Sequence, residues 1–160
     1  MAFDAFIKIG DIPGESTDPK DWIQVESFHW STTQPVNMKA GLSSLTGGGV
    51  NLSEFSFVKK IDKASPKLFV ACCKGDPIPK IEFQCQKSIG SKHVYMKYTF
   101  EKAMLSAVRP GGSAHGDDDV PNEEVCFAYT KFESVYTPVD SDNKPQGNVS
   151  TSFDLSTPSK

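Results

Sequence analysis

Apolar positions along most of the chain recur at every second residue, the spacing of strands with one buried face. Phe3, Ala5, Ile7 and Ile9 alternate with Asp4, Phe6 and Lys8, and the run breaks over 10–16 at Gly10, Pro13 and Gly14. A second extended segment spans 22–34. Its apolar set moves from Ile23 and Val25 to Phe28 and Trp30, so the parity changes once and a bulge or bend is expected near Glu26 and Ser27. Residues 51–61 return to strand, with Phe55 and Phe57 on one face. Ile81, Phe83 and Cys85 alternate with Glu82, Gln84 and Gln86. After a turn over 88–92, Val94, Met96, Tyr98 and Phe100 alternate with Tyr95, Lys97, Thr99 and Glu101. This is the clearest hairpin, and its second strand can run on to Val108. Val125, Phe127 and Tyr129 start a further strand that Phe132 and Tyr136 continue with shifted parity, and Phe153 and Leu155 allow a last short one.

Three segments break the alternation. Residues 39–50, KAGLSSLTGGGV, carry Gly41, Gly47, Gly48, Gly49, Ser43 and Ser44 and read as an open loop. Residues 109–122 and 138–147 read as polar loops. The one convincing helix lies over 62–75, with Ser65 as its cap, Pro66 at the first helical position and Gly75 as its stop. Leu68, Phe69 and Cys72 form the stripe that it would bury. Six or seven strands and one short helix make a mainly β domain, a sandwich or a closed barrel. Neither a repeat nor a second domain is visible.

Composition narrows the function classes. The 160 residues suit one domain. Lys plus Arg is 17 against 20 Asp plus Glu, a net charge of −3 that argues against a general nucleic-acid binder. No apolar run reaches the ~20 residues of a membrane span. The start MAFDAFIKIG lacks the apolar core of a signal peptide, so a cytoplasmic origin with reduced thiols is expected. Cys72, Cys73, Cys85 and Cys126 have no paired metal spacing, and Cys72 and Cys85 share faces with core residues.

Candidate chemistry is sparse. The glycines at 41–49 are not followed by Lys-Ser or Lys-Thr, so a phosphate loop is not matched and a mobile loop is the plainer reading. Asp117, Asp118 and Asp119, with Glu123 and Glu124, lack the register of a calcium loop and read as a solvated acidic segment. His29, His93 and His115 sit on different elements without partners at ligand spacing. No nucleophile elbow occurs. An enzyme, a cofactor and a metal are therefore not expected.

Longer stretches carry a resemblance. Phe6–Ser16 reads FIKIGDIPGES, Phe57–Phe69 reads FVKKIDKASPKLF, and ACCKG ends the helix at Gly75. Phe28-His29-Trp30 and the glycine loop lie between them. In this order, over 3–153, the sequence resembles the haemolysin-coregulated protein (Hcp) family of bacterial type VI secretion systems, with KKIDKASPKL the most specific piece. Many family members have glycine where Ser31 stands, and the acidic run 117–119 is peculiar to this chain. The resemblance implies a flattened β-barrel of two packed sheets with one helix, as a single domain over 1–160. It further implies homohexameric rings that stack into the inner tube of a contractile machine, inside a sheath and under a valine-glycine repeat spike protein. Export without a signal peptide follows, with effector proteins held in the ring lumen.

Two residue sets follow from the resemblance. The ring-stacking loop is Lys39, Gly41, Leu42, Ser43, Ser44, Leu45, Thr46, Gly47, Gly48 and Gly49, in which Leu42 and Leu45 are the apolar side chains offered to a neighbour. If Phe28 and Trp30 face the core, Ser27, His29 and Ser31 face away and are the lumen or cargo residues. The chain ends at Lys160 without a toxin extension, which suits a structural subunit. The competing class is a monomeric or dimeric β-sandwich binding module, for carbohydrate for example, which would need an exposed aromatic platform such as Trp22.

Overall fold

The computed structural model describes residues 3–37 and 45–157. β1 (Asp4–Ile9) pairs antiparallel with β2 (Ile23–Val25). At Glu26 the chain changes partner. The Glu26 N–H donates to Val58 O at 2.8 Å, and β3 (Ser27–His29) pairs with the later strand through Phe28↔Phe57. The parity change therefore marks a corner where one strand passes from one sheet layer to the other.

After β3 comes a correction to the sequence reading. β4 (Thr32–Thr33) pairs with β7 (Asn51–Leu52), and β5 (Val36–Asn37) pairs with β6 (Thr46–Gly47). The expected open loop over 39–50 is thus, from Thr46 onward, the returning side of a two-stranded arm. Gly49 has a backbone reason to be glycine: its φ of 109° is one that L side chains rarely adopt.

β8 (Phe55–Lys60) leads to α1 (Ser65–Lys74). Gly75 stops the helix with a φ of 65°, and its N–H donates to Cys72 O at 3.2 Å. Ser65 is not the cap that the sequence suggested. The N-cap is Ala64, without a side-chain bond, because the Ser65 hydroxyl is taken by a buried ion pair described below. Leu68 is fully buried and Cys72 packs on the core, but Phe69 is 49% exposed. The helix rests on the Leu68–Cys72 row, and one residue on, at ~100° around the axis, Phe69 turns away from it.

β9 (Pro77–Ile89) and β10 (Ser91–Gly111) form the long hairpin. β11 (Asn122–Ala128), β12 (Lys131–Tyr136) and β13 (Val149–Asp154) follow. β10 serves two layers. Residues 96–101 pair with β12, then Lys102 takes a φ of 51°, and residues 104–111 pair with β11. One layer is β2-β1-β9-β10-β12-β13 and the other β3-β8-β11-β10. This is a flattened arrangement of two sheets that share β10, mainly β with one short helix. Of the two forms that the pattern allowed, the closed barrel is not observed. β13 pairs only with β12 and β3 only with β8, so the ring of hydrogen bonds stays open.

Smaller differences have the same origin. Arg109, Pro110 and Gly111 are strand, paired with Glu124, Glu123 and Asn122. β11 and β12 are two strands rather than one, since the parity shift at Tyr129 and Thr130 is a change of layer. Phe3 is exposed, whereas Phe6, expected outward, is buried. Between the layers lies an aromatic core in which Phe55 stacks on Phe28 and Phe127 and tilts against Phe83 and Phe100.

Candidate functional site

The layer β3-β8-β11-β10 has one face in the core and one outside. Its register sets the outer residues in rows. His29, Ser56, Cys126 and Ala107 form one row, and Ser27, Val58, Glu124 and Arg109 the next. The inner row is Phe28, Phe57 and Val125, which drives the alternation. Ser27 and His29 are exposed, as the sequence predicts, and share this face. Ser31 does not join their ladder. It stands at the root of the arm, where its N–H donates to Ser53 Oγ at 2.9 Å and its carbonyl accepts from Ser53 N at 3.0 Å.

Sequence reading missed the rest of this face. Ser56, Glu124, Cys126 and Arg109 occupy outward positions on neighbouring strands, a signal present in the period-two pattern but usable only once the pairing is known. The face is small-residued and nearly neutral. Its one ion pair, Arg109 Nη1 to Glu124 Oε1 at 3.6 Å, is exposed and contributes little stability. The Cys126 thiol lies between them, 3.5 Å from Arg109 Nη1, and its pKa is pushed up by burial although the Arg109 hydrogen bond pulls the other way.

Two free edges flank the layer. Among the described residues β3 has no strand partner beyond β8. On the other side, the pairing of β10 with β9 ends at Met104↔Pro77. Cys72 Sγ of α1 lies 3.8 Å from Leu105 O, and beyond it, among the described residues, no strand pairs with this edge. Unprotected strand edges invite pairing with another chain.

The arm adds a second feature. Trp30 Nε1 donates to Tyr129 Oη at 2.5 Å, and Tyr129 Oη donates to Ser53 O at 3.0 Å, so the arm root is tied to the end of β11. Leu45 is 70% exposed, and Val36 and Val50 are also exposed. Gly47, Gly48 and Gly49 lie on the returning side, as does the backbone of Thr46. Lys39, Gly41, Leu42, Ser43 and Ser44 lie outside the described residues. Between the arm root and β12–β13 is an open cleft of about 460 Å³, with Trp30, Tyr98 and Phe132 as its floor.

The motif KKIDKASP is explained by a third cluster. Lys59 Nζ, fully buried, meets Glu123 Oε1 at 2.5 Å and Asp62 Oδ1 at 2.8 Å, and donates to Ser65 Oγ at 3.0 Å. Ser65 Oγ donates to Glu123 Oε1 at 2.6 Å. Glu123 is thus turned inward and Glu124 pairs with Arg109, so neither joins Asp117, Asp118 and Asp119. Among the described residues no group of metal-ligating side chains converges, and no helix is long and apolar enough to cross a membrane.

Known proteins agree with this arrangement. The family described as "Type VI secretion system effector, Hcp" matches residues 6–136. This chain is an Hcp family member. Over 149 residues it is 35% identical to Protein hcp1 of Pseudomonas aeruginosa, covering 92% of this chain and 91% of that one. A solved type six secretion system protein superposes with a TM-score of 0.91 at 32% identity, covering 96% of each chain. Hcp1 of Salmonella typhimurium gives a TM-score of 0.78 at 30% identity, covering 97% and 96%. The Hcp chain thus belongs to a family of type VI secretion proteins.

Proposed function

We propose that the chain is a structural subunit of the type VI inner tube, not an enzyme, and acts as a single domain over 1–160. Six copies form a ring, rings stack into a tube inside the sheath and beneath the spike protein, and the tube is exported with effector proteins in its lumen. The observation that carries this reading is the pair of free edges on opposite sides of one layer, β3 on one side and β10 beyond Leu105 on the other. Edges at opposite sides of a sheet favour a head-to-tail contact, which closes into a ring when the rotation fits. Such a ring turns one face of that layer inward. Ser27 and His29 with Ser56, Cys126 and the Arg109–Glu124 pair then line the lumen, and Ser31 lies at its rim as a cargo contact. A nearly neutral lining suits a carrier that holds and releases different proteins.

The arm, from Lys39 through Gly49 with Leu42 and Leu45 as its apolar side chains, contacts the next ring. Before firing the protein is cytoplasmic, and it leaves through the secretion machine. A monomeric sugar-binding module is less well supported, because Trp22, the aromatic side chain that the sequence offered as a platform, is half-buried. Sedimentation velocity over a concentration series tests the reading. A species of six copies is expected, and a monomer throughout the series would overturn it.

A further inference from the structure

The cleft at the arm root has a mainly apolar lining without a charged side chain. Leu52 and Phe153 line it together with Trp30, Tyr98 and Phe132, and Thr151, which is exposed, belongs to the same lining. Its outer wall, β13, is a free edge strand with no lysine and no proline from Val149 to Asp154. Filling the cleft with a charged segment would strip that charge of water without compensation. Most of the exposed apolar side chains elsewhere are unsuited on this ground. Phe69 and Val70, for example, are flanked on α1 by Lys67 and Lys74.

The arm is different. From Ser31 to Ser53 the sequence has a single charge, Lys39, and the described part of the arm has none. Among the described residues Leu45, 70% exposed, is the most exposed of the large apolar side chains. Leu45 precedes Leu52 by seven residues on the returning side of the arm, and a strand rises ~3.3 Å per residue, so on the order of 20 Å of chain lies between Leu45 and the arm root.

We propose that the cleft between the arm root and β13 receives the Leu45 side chain from the arm of a second copy of this chain. The cleft is then incomplete in one subunit and is completed by its neighbour, in a heterologous contact that repeats from copy to copy. The inference rests on the tube reading and names the acceptor for the arm.

A cross-linking experiment tests it. Leu45→Cys and Thr151→Cys are combined with Cys73→Ser, which removes the exposed native thiol, and the full chain is oxidised with copper phenanthroline across a concentration series. Native mass spectrometry of the unoxidised protein runs alongside. The expected result is conversion of the monomer band to dimers and longer ladders on non-reducing gels in the double-cysteine chain, and no ladder with either cysteine alone. Six-copy rings without any Leu45–Thr151 cross-link, or a cross-link confined to one chain, overturn the cleft proposal and leave the tube reading standing. Absence of any assembly in the mass spectra defeats the tube reading itself, and the cleft proposal with it.

Discussion

Lys59 Nζ stands 2.5 Å from Glu123 Oε1, and neither side chain is open to water. The pair ties β8 to β11, and through Asp62 and Ser65 it ties both strands to the start of α1. Burying two charges costs several kcal/mol each, and the cluster recovers this only with every partner in place. Removing Lys59 leaves the buried Glu123 carboxylate with only the Ser65 hydroxyl, and removing Glu123 leaves the buried Lys59 with Asp62 as its one ion partner. Lys59→Met or Glu123→Leu is therefore expected to lower stability by about 3–5 kcal/mol, whereas the double replacement recovers most of the loss. Urea unfolding of the three variants measures this. A double variant as unstable as the worse single one would contradict it.

Tyr129 couples the arm to the core, accepting from Trp30 Nε1 and donating to Ser53 O. Tyr129→Phe leaves a half-buried indole N–H and a carbonyl without their partner, a cost of about 1–3 kcal/mol. The midpoint of thermal unfolding is expected to fall, with a change in Trp30 fluorescence already in the native state. Unchanged fluorescence and midpoint would show that the bond contributes nothing.

Much of the fold is legible in the sequence because the alternation is regular. The hairpin over 81–100, the stop at Gly75 and the corner at Glu26 all follow from local pattern. The arm is not legible, since glycine-rich sequence reads as loop and only the pairing of Val36 with Gly47 shows it to be strand. The Lys59 cluster is half legible. Lys59 follows Phe55 and Phe57 at inward parity, and Glu123 precedes Val125 and Phe127 at inward parity. Each is a charge on a core face, but nothing local says that the two strands are neighbours. The same gap hides the outer face: Ser27 and His29 are readable, whereas Ser56 and Cys126 join them only through register.

Low pH acts on Glu82. Burial pushes its carboxyl pKa up, but hydrogen bonds from Lys97 and Lys80, with their charges, outweigh this and hold it below the ordinary 4.5. A lowered folded pKa contributes stability that is complete above 4.5 and drains away as pH falls through the lower value. Glu82→Gln is expected to be less stable than the parent at neutral pH, with the gap closing in acid. A gap that is constant with pH would rule out the ionised carboxylate as its source.

The thiols differ in reactivity. Burial pushes Cys85 up to about 11, so at pH 8 it stays protonated as well as enclosed. Cys73 is exposed. Maleimide labelling read by mass is expected to modify Cys73 first and Cys85 only when the chain unfolds. Early labelling of Cys85 would show that the β1–β9 core opens readily.

His29 tests the lumen face. His29→Asp sets a negative charge beside Ser27 and Ser56 in every copy. Rings are expected to persist while effector proteins no longer co-purify with them. Undiminished co-purification would move cargo binding off this face.

The proposed assembly is a closed ring of six copies. Native mass spectrometry of the purified protein, with negative-stain images of the same sample, tests it most directly. A six-copy mass and rings with open centres are predicted. A monomer at high micromolar concentration, with no rings in the images, would contradict the account.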